Sequence, residues 1–213
     1  MPKPITRNWV ILSVLAGLTA GCTPPSYVNI PPQDGDWARN NPNAGDVQEM
    51  AVVAIRYGLQ RDPIGGPYVL RLPERSTDTT YAQVAAQLGG DARLPVGVAP
   101  VALDEDGDPV PPDDKPADGE ASGFVPQAGG DDLPVVEVYA VRSRGGTGEV
   151  ELLRPSDSGR GWVTINLEWE LRFGWSAVDS RAWRVDPSAM PEPSVPPAQR
   201  PLRSQTRNGP DTE

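Results

Sequence analysis

WVTINLEWELRF, residues 162–173, alternates without a break: Val163, Ile165, Leu167, Trp169, Leu171 and Phe173 share one face, and Trp162, Thr164, Asn166, Glu168, Glu170 and Arg172 share the other. A period of two means extended backbone, because successive side chains of a strand point to opposite sides. The pattern predicts a long strand with one buried and one solvated face. Its partners lie on either side. LPVVEVYAVR (133–142) and EVELLR (149–154) flank SRGGTG as two strands flank a glycine-containing hairpin loop. Gly174 permits a bend, after which Trp175 to Val185 returns as a fourth strand.

Upstream the period changes. Val47, Met50, Ala51, Ala54, Ile55 and Leu59 recur at helical spacing over Asp46 to Gln60, with Asp46 and Glu49 placed as a capping box and Pro63 beyond the end. Pro67 to Pro73 (PYVLRLP) reads as a short strand. Ser76 to Asp78 offer caps for a second helix whose stripe is Tyr81, Val84, Ala85 and Leu88 and whose stop is Gly89. Pro95 to Leu103 reads as a further strand. The expected fold is α+β: a mainly antiparallel β-meander with two amphipathic helices on its buried face, flanked by disordered segments.

Composition divides the chain further. Its 213 residues include 26 prolines and 22 glycines, well above the average combined share of about 12%. They concentrate in three places. Residues 22–45 read as a flexible tether, 104–132 as an acidic disordered loop with Lys115 as its one cation, and 186–213 as a disordered proline-rich tail. The foldable parts are 46–103, helix-strand-helix, and 133–185, the sheet.

The formal net charge of −10, with Lys3 and Lys115 the only lysines, argues against nucleic acid as a partner, since binding phosphate backbones requires cations that displace counterions. The chain has no histidine and a single cysteine, Cys22. That removes imidazole-based triads, histidine metal sites, intrachain disulfides and cysteine-rich metal centres. Carboxylates, hydroxyls and arginines remain, and no cofactor is implied.

Lys3 and Arg7 precede WVILSVLAGLTA (9–20), an uncharged run of about a dozen residues, where a membrane span needs about 20. This is the pattern of an export signal occupying residues 1–21. Leu18, Thr19, Ala20, Gly21 and Cys22 resemble the lipobox of bacterial lipoprotein signal peptides, with threonine at 19 where leucine is commonest. The resemblance covers about the first 23 residues. It implies that the Cys22 sulfur takes a diacylglyceryl group, that the chain is cut before Cys22, and that the lipid holds the protein to a membrane of the bacterial cell envelope. Thr23, not being aspartate, favours the outer membrane over the inner one.

Three groups of residues invite chemistry. Asp104, Asp106 and Asp108 around Gly107 suggest calcium, but the spacing fails an EF-hand at its first ligand, Ala102. A solvated turn accounts for them better. Glu168 and Glu170 share a strand face about 7 Å apart at 3.3 Å per residue, within reach of glycosidase geometry. Arg142, Arg154 and Arg172 are available as their cross-strand partners. Trp162, Trp169, Trp175 and Trp183 suggest a stacking platform, with Trp169 expected in the core and Trp162 exposed.

The expected function is a membrane-anchored envelope lipoprotein, a non-enzymatic binding or structural module facing the periplasm or cell surface. Its expected partner is another envelope protein or a surface polymer. The alternative is a carboxylate-dependent glycan hydrolase using Glu168 and Glu170.

Overall fold

The computed structural model describes residues 39–111, 127–130, 132–156, 159–185 and 187–191. The signal segment, Cys22, most of the tether, residues 112–126 of the acidic stretch and the tail after 191 lie outside the described residues.

The described chain is α+β. In order it forms α1 (Gly45–Arg61), β1 (Tyr68–Arg71), α2 (Asp78–Leu88), β2 (Ala92–Arg93), β3 (Val135–Arg144), β4 (Thr147–Ser156), β5 (Gly159–Glu170) and β6 (Gly174–Trp183), followed by one 3-10 turn at Pro187–Ala189. The strands make one six-stranded sheet in the order β2-β1-β3-β4-β5-β6.

From β3 to β6 every pairing is antiparallel, as a meander requires. The other edge corrects the expectation. β1 runs parallel to both β2 and β3, so the sheet is mixed. The reason is the connections. Parallel neighbours need a crossover, usually a helix, and α2 is the crossover between β1 and β2. The acidic stretch carries the chain from β2 back to the start of β3. Pro95 to Leu103 is not a strand. Val98 and Leu103 are buried from a loop, and isolated bridges join Leu94 to Ala128 and Leu103 to Pro109.

α1 lies across β3 to β6, with α2 packed beside it. Met50, Ala54 and Ile55 are fully buried against Val138, Val150, Leu152, Ile165 and Leu167. At Gly148 there is no room for a side chain: an added Cβ would run into the Met50 methyl and crowd the Trp175 ring at 3.3 Å. At the second helix, the Thr77 hydroxyl accepts from the Thr80 N–H at 3.2 Å, the expected N-cap.

Two bulges interrupt the alternation, at Tyr139 in β3 and Val178 in β6. β5 keeps its period of two, but its cover differs from expectation. Trp162 is 3% exposed, while Trp169 is 45% exposed. The helix-free face has a second, small core in which Leu153, Trp162 and Val185 pack with Tyr139, Trp183, Ala189 and Met190. Chain after β6 therefore covers Trp162, and Trp169 lies near the end of β5, beyond the deepest packing of α1. Leu171 and Phe173 sit in the turn after β5, 90% and 72% exposed.

Candidate functional site

On the helix-free face, the registers align four rows across the meander. These are Glu137–Leu153–Trp162–Trp183, Ala140–Glu151–Thr164–Arg181, Arg142–Glu149–Asn166–Asp179 and Arg144–Thr147–Glu168–Ser176. The first row is largely apolar and the rest are polar. Three of the charged side chains are almost entirely buried: Glu137 at 0%, Arg142 at 1% and Glu151 at 2%. Arg142 Nη1 donates to Glu151 Oε1 at 2.5 Å, and Arg160 Nη2 to Glu137 Oε2 at 2.7 Å. Buried charges are tolerated when paired in this way. Trp183 Nε1 donates to Thr164 Oγ1 at 2.8 Å, with the Arg181 guanidinium 4.0 Å above the Trp183 ring.

The arginines expected beside Glu168 and Glu170 are engaged elsewhere. Arg142 holds Glu151, Arg154 bridges to Asp62 at the end of α1 at 2.6 Å, and Arg172 lies 5.6 Å from the Phe173 ring. Glu168 and Glu170 are both exposed at the far end of β5. Asp104 turns inward on its own loop: its Oδ1 accepts from the N–H groups of Asp106 at 3.0 Å and Asp108 at 2.8 Å. Among the described residues, no three His, Cys, Asp or Glu side chains converge as a metal site.

Residues 39–43, RNNPN, fall in the stretch that composition assigned to the tether, and they rest against the domain. Asn40 N–H donates to the Val141 carbonyl at 2.9 Å, and its side chain brackets Ser143, donating to the hydroxyl and accepting from the N–H at 3.3 Å. Asn43 Oδ1 accepts from Thr77 N–H at 2.9 Å and from the Thr80 hydroxyl at 2.7 Å, while its Nδ2 donates to the Arg75 carbonyl at 3.0 Å. Short amide side chains substitute for backbone partners in such turns, which is the signal that a reading as linker overlooked.

This docked segment walls a cleft of about 460 Å³, closed by the β1–α2 connection and by the bulged part of β3. Arg39 stacks 4.7 Å from the Tyr139 ring on one side. Glu74 and Arg75 face it from the other, and Arg75 holds φ 83, a left-handed conformation costly for a side chain with a Cβ. Two guanidiniums, one carboxylate and a ring equip the cleft to hold a polar or anionic group. A smaller groove of about 340 Å³ lies between the end of α1 and β4–β6, lined by Arg61, Asp62 and Arg154.

The fold and its clefts define a small α+β domain with a mixed sheet and one helical face. Comparison with protein-family models, with curated proteins and with solved structures gives no match.

Proposed function

We propose that the chain is a lipid-anchored lipoprotein of the bacterial cell envelope, held through Cys22 with the outer membrane favoured over the inner one. Its domain acts as a non-enzymatic binding or structural module facing the periplasm or cell surface. The observation that carries this is the succession of a basic start, an uncharged run over 9–20 and Leu18-Thr19-Ala20-Gly21-Cys22. Support for the binding role comes from the cleft beside residues 39–43, where Arg75 is held in a strained conformation and β3 bulges at Tyr139. Such strain persists where surrounding structure enforces it, and it clusters at recognition sites. The partner is an envelope protein or a surface polymer presenting polar or anionic groups to Arg39 and Arg75.

The test is membrane fractionation of cells making the full chain with a C-terminal tag. The parent stays with the membrane and is processed at Cys22; Cys22→Ala is left unprocessed by lipoprotein maturation. Equal processing of the two proteins overturns the anchor. Crosslinking in intact cells then reports the partner, and Arg75→Glu is expected to abolish its recovery. The pair Glu168→Gln with Glu170→Gln is expected to leave recovery and envelope phenotype unchanged, whereas loss of the phenotype would favour glycan hydrolysis.

A further inference from the structure

The turn between β5 and β6 is built from residues that a solvated hairpin avoids. Glu170-Leu171-Arg172-Phe173-Gly174 places a leucine 90% exposed and a phenylalanine 72% exposed at the tip, with Trp169 at 45% beside them. Turns favour Gly, Asn, Asp, Ser and Pro for local backbone reasons, and clustered exposed apolar side chains mark surfaces that meet something apolar. The neighbouring turn belongs to the same pole. Trp169 N–H donates to the Gly146 carbonyl at 2.8 Å, which sets the β3–β4 turn and Arg144 alongside the apolar tip.

The chain's own anchor points to the occupant. Asn40 is fixed to Ser143, the residue before Arg144, so the segment leading back to Cys22 joins the domain on the half of the sheet that carries this tip. Cys22 lies 17 positions before Arg39, and a coil of that length would span about 20 to 25 Å, enough for an anchored domain to bring the tip to the bilayer. We propose that Leu171 and Phe173, with Trp169 at their base, insert into the interfacial layer of the phospholipid bilayer to which the chain is anchored. Arg172 and Arg144 stay at headgroup level, where guanidiniums pair with phosphate. This inference rests on the lipid-anchor reading. Glu168 and Glu170 behind the tip offset the two arginines, so the contact depends on apolar insertion rather than on a polybasic attraction. Two or three side chains hold a free domain only weakly, but tethering raises the local concentration of surface to the order of millimolar.

The test places a photoreactive benzoylphenylalanine at position 173 of the full chain, with position 184, exposed beyond the other end of β6, as the control. Both sites are outside the core, so the fold is preserved. After irradiation of intact cells, phospholipid adducts are expected on the tip peptide and not at 184, and Leu171→Ser is expected to reduce the signal at 173 to the control level. Adducts only with protein, or none above the control, overturn the inference. Acylation of the Cys22 peptide is read in the same digest. An acylated chain with an unmodified tip refutes tip insertion alone. Lipid adducts at 173 without acylation refute the anchor and leave the contact standing.

Discussion

Arg142 and Glu151 form the most demanding contact of the described domain: two opposite charges, both within 2% of complete burial, 2.5 Å apart on the helix-free face. Removing one charge strands the other in a low-dielectric setting, so Arg142→Met is expected to cost about 3 to 5 kcal/mol in urea denaturation. Arg142→Met combined with Glu151→Leu is expected to restore most of that loss, because the desolvation of both ions is relieved together. Equal destabilisation by the single and the double change would show that shape, not charge, governs the site. The sequence offered Arg142 as a cross-strand partner for Glu168 and Glu170, whereas the structure pairs it with Glu151. Register decides that, and the bulge at Tyr139 sets Ala140 opposite Glu151 and Arg142 opposite Glu149.

Tyr68 contributes a dependence on alkaline pH. Burial, aided by the Asp91 carboxylate, pushes its phenol up to about 12, with Arg56 pulling weakly the other way. The folded form thus keeps a proton that the unfolded chain releases near pH 10. This contribution is intact below pH 10 and lost as pH rises toward 12, about 2 to 3 kcal/mol in all. Tyr68→Phe is expected to flatten the alkaline decline between those limits. A parallel decline in the variant would assign the effect to other groups.

Among elements, the two helices are joined at their starts by one side chain. Asn43 accepts from Thr77 and Thr80 at the head of α2 and donates to the Arg75 carbonyl, just before α1 begins. Asn43→Ala is expected to cost about 1 to 3 kcal/mol. Asn43→Asp, which keeps the accepting oxygen, is expected to cost less. Hydrogen exchange at the Thr77 amide, which donates to Asn43, checks the location, and unaltered protection there in Asn43→Ala would contradict the clasp.

The helices were legible because a buried stripe at helical spacing admits few other readings; Met50, Ala54 and Ile55 lie where the period puts them. The meander was legible from alternation and from the Gly145-Gly146 turn. The tryptophans were misassigned for a physical reason. Alternation states which residues share a face, not how far the covering layer reaches. Trp162 is covered by Val185 and by Ala189 and Met190, the last two from a stretch that looked like tail, and Trp169 lies near the end of β5, where the cover runs out. Parallel pairing of β1 was hidden because it depends on β3, separated from it by more than sixty residues.

For the molecule as a whole, composition treated RNNPN (39–43) as spacer, whereas these residues are bonded to the domain. Asn40 and Asn43 fix the segment to β3 and to the start of α2. The polar cleft beside Arg39 and Arg75 and the apolar tip at Leu171 and Phe173 are separate surfaces, the first proposed above for a partner and the second for the bilayer. The cleft was not legible, because it joins residues 39–42, 73–75 and 139–141 from three distant parts of the chain.

Everything proposed for the domain's setting turns on Cys22, and intact-mass measurement of the protein extracted from membranes addresses it directly. The account predicts a chain that begins at Cys22 and carries a diacylglyceryl group on sulfur. A mature chain that begins before residue 22, or one with a free thiol there, would contradict it.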